Sequence, residues 1–142
     1  MKRVLFVAAV FLILSTAAFA QCSTFPCVVA TVSLPSQTVA LAPTTLLIPS
    51  AAGTFRVSYY LSTGPGGNDG HNWATYIRWT DDQGPRNVYT QVGSNSSSAP
   101  YASVIVHVVA GQPLQYRTAA LGGRDSSTPK VYDLYIVVEQ IQ

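Results

Sequence analysis

The chain has 142 residues, of which 48% are hydrophobic and only 10% charged, with a formal net charge of +2. Two basic residues, Lys2 and Arg3, lie in the opening segment, and beyond residue 20 the six basic and six acidic side chains balance. Near-zero charge without a cluster of Lys and Arg excludes the footprint that displaces counterions from nucleic acid, and equally a basic patch for anionic lipid.

Residues 1–20 have the layout of a processing segment: a positive start in MKR, the apolar run VLFVAAVFLIL, and small residues in AFA. This predicts a secretory signal peptide cleaved after Ala20, and hence a secreted or periplasmic protein with no membrane span in its mature form. A retained anchor is the alternative. A lipoprotein reading of Cys22 is disfavoured because Gln21 stands where a lipobox takes Gly or Ala. The remaining chain of about 120 residues suits one domain.

Residues 21–36 form an N-terminal segment that contains the only two cysteines, Cys22 and Cys27, in CSTFPC. Outside the cytoplasm these are expected to form a disulfide around a short loop, although pairing between chains fits the sequence too. So short a loop would pin the N-terminus rather than hold the fold. Two cysteines without a nearby histidine are half a zinc site, so no metal or other cofactor is expected from them.

From Cys27 onward the chain reads as strands separated by Gly, Pro, Asn, Asp and Ser. In order the runs are CVVATVS, QTVAL, TTLLIP, GTFRVSYYLS, NWATYIRWT, RNVYTQV, YASVIVHVVA, PLQYRTAA and KVYDLYIVVEQI. No stretch keeps a 3.6-residue apolar period, which predicts an all-β, antiparallel two-sheet jelly-roll sandwich over residues 37–142. Alternation sets the core faces: Phe55, Val57, Tyr59 and Leu61 share one side of their strand, and Trp73, Thr75, Ile77 and Trp79 share one side of the next.

Two runs are apolar on both sides. Ala102, Val104, Val106 and Val108 lie opposite Ile105, His107 and Val109, and Leu134, Ile136 and Val138 lie opposite Tyr135 and Val137. A strand of that kind needs cover on both faces. With no helices to supply it, a second subunit is the economical expectation. Cover by loops or by the N-terminal segment within a monomer is the alternative.

The pattern resembles the trimeric jelly-roll superfamily of tumour-necrosis-factor-like and complement-type globular head domains. IPSAAGTFRVSYYL is similar to that family's proline, Gly-x-aromatic and long alternating strand; SVIVHVVAGQPLQYRTA is similar to its strand, glycine corner and next strand; VYDLYIVVEQ fits its closing strand. Gln112 departs from the acidic residue usual after the corner glycine, and residues 1–36 contain no collagen-like repeat. The resemblance implies that the strands Gly53–Leu61, Ala102–Val109 and Val131–Glu139 share an inner sheet packed about a threefold axis. Alternation and resemblance thus select one interface surface for a homotrimer: Tyr60, Ile105, His107, Val109, Tyr135 and Val137.

Candidate chemistry is sparse. Asp81 and Asp82, in WTDDQGPRNVY, have the composition of a hairpin turn, with Gly84 suited to a positive φ and Arg86 or Arg78 near enough for a weak ion pair. Adjacent carboxylates at a turn do not flank a substrate as a glycosidase pair must. In GPGGNDGHNW, the residues Asn68, Asp69, His71 and Trp73 are the best candidates for a ligand-contacting loop, whether the ligand is protein or carbohydrate, since an aromatic ring offers a flat apolar face. Trp73 is as well explained by the core, and the spacing matches no calcium loop.

His107 has two readings, a neutral histidine satisfied in a strand, or a group whose protonation at a threefold axis makes the assembly acid-sensitive. Asn95 lies in an NSS acceptor, relevant only in a glycosylating host. Nucleophile elbow, zinc-protease, phosphate-loop and dinucleotide motifs do not occur. The expectation is a non-enzymatic, homotrimeric binding or structural module. A monomeric carbohydrate-binding sandwich is the alternative, and a secreted hydrolase a more distant one.

Overall fold

The computed structural model describes residues 24–63, 72–92, 101–121 and 131–142. Eight strands run in chain order: β1 (Cys27–Gln37), β2 (Thr44–Leu47), β3 (Gly53–Thr63), β4 (Asn72–Asp81), β5 (Gly84–Val92), β6 (Tyr101–Val108), β7 (Leu114–Leu121) and β8 (Tyr132–Gln140). Among the described residues there is no helix. They form two antiparallel four-stranded sheets in the orders β1-β8-β3-β6 and β2-β7-β4-β5. Only β4 and β5 are joined as neighbours within a sheet. Every other connection passes from one sheet to the other, which is the wiring of a jelly roll.

The alternation read from the sequence becomes the core. Phe55, Val57, Tyr59 and Leu61 of β3, Trp73 and Ile77 of β4, and Leu134, Ile136 and Val138 of β8 are buried between the sheets. Each fully buried aliphatic side chain contributes about 1.5–3 kcal/mol relative to exposure. Thr75, on the same side of β4, is buried with them, and Trp79 packs partly buried at the margin.

Of the nine expected strand runs, QTVAL is not a strand beyond Gln37. Its backbone is used differently: Leu41 N–H donates to the Thr118 hydroxyl at 2.8 Å, and the Val39 carbonyl accepts from the Tyr132 hydroxyl at 2.9 Å. These side-chain partners stand beside a single main-chain bond, from Thr118 N–H to the Leu41 carbonyl at 3.2 Å, in place of a ladder, so the segment crosses between sheets. β1 lies in the segment expected to precede the domain, yet it pairs with β8 from Cys27 to Gln37, so the sandwich takes in residues 27–37. A bulge in this strand places Ser36 at φ 57°, where its N–H donates to Asp133 Oδ1 at 2.7 Å. Cys22 and residues 1–20 lie outside the described residues. No helix among the described residues is long and apolar enough to cross a membrane.

Candidate functional site

Strands β8, β3 and β6 are adjacent, so their solvent-side residues make one continuous surface. The register places Tyr60 between Tyr135 on β8 and Tyr101 on β6, Ser58 between Val137 and Ser103, and Arg56 between Glu139 and Ile105. Tyr60 and Tyr135 stack with centroids 4.7 Å apart and 22° between planes. Ile105 is 62% exposed, Tyr101 83%, Val137 38% and Tyr60 37%. The polar members of the surface are satisfied within it. Arg56 donates to Glu139 Oε2 at 3.3 Å, and the Ser58 and Ser103 hydroxyls are 3.2 Å apart. The face thus combines neutralised charge, paired hydroxyls and exposed large apolar side chains.

The residues predicted for that surface divide as follows. Tyr60, Ile105, His107, Tyr135 and Val137 lie together on it. Val109 does not lie in the strand: β6 ends at Val108, and Val109 N–H donates to the Thr80 carbonyl at 3.1 Å, which turns the chain toward the β4–β5 end and leaves Val109 half-buried. Tyr101 belongs to the surface and was not anticipated. Its signal was available, since it has the parity of Ile105 and His107, but a tyrosine opening a strand reads as readily as a loop residue.

At the rim, His107 Nε2 stands 3.6 Å from Asp82 Oδ2, and the His107 side chain is 43% exposed. Asp82 lies in the turn between β4 and β5. In that turn Asp81 Oδ1 accepts from Gln83 N–H at 2.8 Å, and Oδ2 accepts from Arg86 Nε–H at 2.9 Å. The Arg86 guanidinium, aided by the Gln83 amide, holds the Asp81 carboxyl below its ordinary range. Gly84 sits at φ 111°, a conformation glycine adopts without strain. The two adjacent aspartates thus form a turn in which the Asp81 carboxylate serves the turn's own geometry and that of Asp82 faces His107.

Of the second predicted site only Trp73 lies among the described residues. Asn68, Asp69 and His71 lie outside the described residues, as do Cys22 and Asn95. Trp73 is described, and it is 4% exposed, with its ring 4.4 Å from that of Tyr132. An indole in that place fills the core and offers no platform to a ligand, because inward parity on β4 outweighs the neighbouring loop. Among the described residues no group of three or more His, Cys, Asp or Glu side chains is placed to hold a metal ion.

No family model and no curated protein matches the sequence. Solved structures do match. The globular domain of zebrafish complement 1qA protein superposes with a TM-score of 0.55 at 12% identity, over 80% of this chain and 97% of that one. The fold is that of the complement-type globular head. PRD1 vertex protein P5 is similar at TM-score 0.54 and 10% identity, over 81% of this chain and 99% of that one. The Eiger TNF structure from S. frugiperda aligns at TM-score 0.36 and 9% identity, over 80% and 92%. The expected jelly roll and the expected resemblance are both present, and the first two structures carry that conclusion.

Proposed function

We propose that the chain is a secreted, non-enzymatic jelly-roll module that assembles as a homotrimer through the outer face of the β1-β8-β3-β6 sheet and acts as a binding or structural unit outside the cytoplasm. One observation carries the reading: the row Tyr101–Tyr60–Tyr135, with Val137 beside it and Ile105 beyond the Ser58–Ser103 pair, leaves large apolar side chains exposed on the sheet where the resemblance locates a threefold contact. Three copies of such a face bury what one copy leaves in water, and a closed ring needs no further cover. The signal-like opening supports export. The likeness to a complement globular domain and to a vertex protein supports a role in binding or assembly rather than turnover.

The test is absolute mass by light scattering after size exclusion of the chain from residue 21 onward. The expected result is three chain masses, falling to one in Tyr135→Lys and in Val137→Glu while far-UV circular dichroism keeps its strand signature. A monodisperse wild-type monomer rejects the proposal. So does a trimer that both substitutions leave intact.

A further inference from the structure

The outer face of the other sheet has a different chemistry. Register aligns two rows across β5, β4 and β7: Tyr89–Tyr76–Arg117, and beside it Asn87–Arg78–Gln115. Both rows point away from the core, because Ile77 and Trp79, the alternate residues of β4, pack into it. In the first row the Tyr76 and Tyr89 rings stack at 5.3 Å and 27°, and the Arg117 guanidinium carbon lies 4.1 Å from the Tyr76 centroid. Tyr89 is 55% exposed, so the row ends in an accessible ring. The second row lines a shallow hollow of about 240 Å³ together with Gln112 and Pro113 from the β6–β7 corner and with Arg86, whose guanidinium is bound to Asp81.

The charges in this region are unequally matched. Of the four described arginines, Arg56 is paired with Glu139 and Arg86 with Asp81. Arg78 and Arg117 have no carboxylate partner among the described residues, and Arg78 lines the hollow. Around it the side chains of Asn87, Gln112 and Gln115 carry amides, each able both to donate and to accept.

We propose that this hollow and the adjoining tyrosine row bind a saccharide that bears a carboxylate, a uronic-acid oligosaccharide. Each part of the surface matches one part of such a ligand. A guanidinium takes a carboxylate through two parallel N–H···O bonds. Amides suit hydroxyls, which likewise donate and accept. An exposed tyrosine ring takes the apolar C–H face of a pyranose while its hydroxyl stays wet. An acidic peptide fits less well on the face itself, where the backbone groups of β4 are committed to ladders with β5 and β7 and main-chain partners remain only along the outer edge of β5. The site lies on the sheet opposite the proposed trimer contact, so it stands whether or not the chain assembles.

The experiment is isothermal titration with trigalacturonate, with its fully methyl-esterified form, and with tri-glutamate. Trigalacturonate is expected to bind and the ester to bind at least about tenfold more weakly, since the ester cannot make the charge-assisted pair with Arg78. Arg78→Gln and Tyr89→Ala should each weaken trigalacturonate by about tenfold or more, leaving thermal stability and assembly mass unchanged. No binding of trigalacturonate or of a triglucuronate overturns the proposal. Binding that both variants retain overturns it, and so does tri-glutamate binding as tightly as the saccharide, which would make the site a peptide or general anion surface. Because assembly mass is read separately, failure here is distinguishable from failure of the trimer.

Discussion

Replacing Tyr132 by phenylalanine removes one oxygen atom from the end of the sandwich and tests how the β1–β2 crossing is held. Tyr132 is 1% exposed, and its hydroxyl donates to the Val39 carbonyl at 2.9 Å. That uses its single proton, so the contact of 2.7 Å with Thr118 Oγ1 has the threonine as donor, while Thr118 Oγ1 in turn accepts from Leu41 N–H at 2.8 Å. The relay runs from Leu41 through Thr118 and Tyr132 to Val39. Phenylalanine keeps the ring and its contact with Trp73 but leaves the Thr118 proton without an acceptor in a buried place. Val39 is 63% exposed, so its carbonyl finds water. One stranded group costs about 1–3 kcal/mol. With an unfolding entropy of roughly 0.25 kcal/mol per kelvin for a domain of about this size, 2 kcal/mol corresponds to a Tm lower by about 8 °C.

The assay for this substitution is thermal unfolding at fixed protein concentration, followed from pH 7 to 11. Desolvation raises the Tyr132 phenol above its ordinary value of 10.0, the Thr118 hydrogen bond opposing it in part. A group raised on folding contributes fully below its unfolded pKa and loses that contribution as pH climbs toward the folded one. Wild-type Tm should therefore fall more steeply above about pH 10 than the variant's, the buried Tyr59 supplying a slope common to both. An unchanged Tm at pH 7 would refute the relay.

Two further substitutions probe the turns. Asp81→Asn should flatten the acid limb of stability: the carboxyl is depressed mainly by its bond from Arg86, so its contribution is present above the ordinary value of 3.8 and lost as pH falls through the lower folded value, which Tm measured in low salt between about pH 5 and 2 will show. Gly111, at φ 73° in the β6–β7 corner, donates its N–H to the Pro49 carbonyl at 2.8 Å. Gly111→Ala should cost about 1 kcal/mol in urea unfolding and Gly111→Asn less, because asparagine tolerates the left-handed region better.

The sheets were legible because alternation on β3, β4 and β8 is a direct record of which face is dry, as the burial of Val57, Ile77 and Ile136 confirms. The turn at Asp81–Gly84 was legible because its chemistry is local. QTVAL misled, since Val, Thr and Leu in sequence do not reveal that the Val39 carbonyl and the Leu41 N–H are taken by side chains from β8 and β7. The tyrosine row escaped notice for a related reason. Tyr76, Tyr89 and Arg117 become neighbours only through register, and a sequence without the pairing shows three unrelated outward residues. The resemblance bears on the β1-β8-β3-β6 sheet, whereas Arg78 and Arg117 lie on the other.

The pairing of His107 with Asp82 moderates the expected acid response of the assembly. In the proposed trimer a protonated His107 would stand at the rim of the shared face in each of the three copies. Its pair partner on β3, Thr54, is uncharged, and the nearest cation along that strand, Arg56, is tied to Glu139. The carboxylates that face His107 come from the β4–β5 turn: Asp82 at 3.6 Å, and Asp81, which feels the imidazole through space. Asp82 supplies an anion within the same chain, so it offsets the repulsion among three like charges. Two opposite outcomes follow for the trimer fraction measured at pH 5 and pH 7.5 in low salt. His107→Gln should abolish its dependence on acid, whereas Asp82→Asn should steepen it. Equal stability of the wild type at both pH values, together with an Asp82→Asn variant that behaves like it, would show that the imidazole stands clear of the contact and that the face closes on Ile105, Tyr60 and Val137 alone.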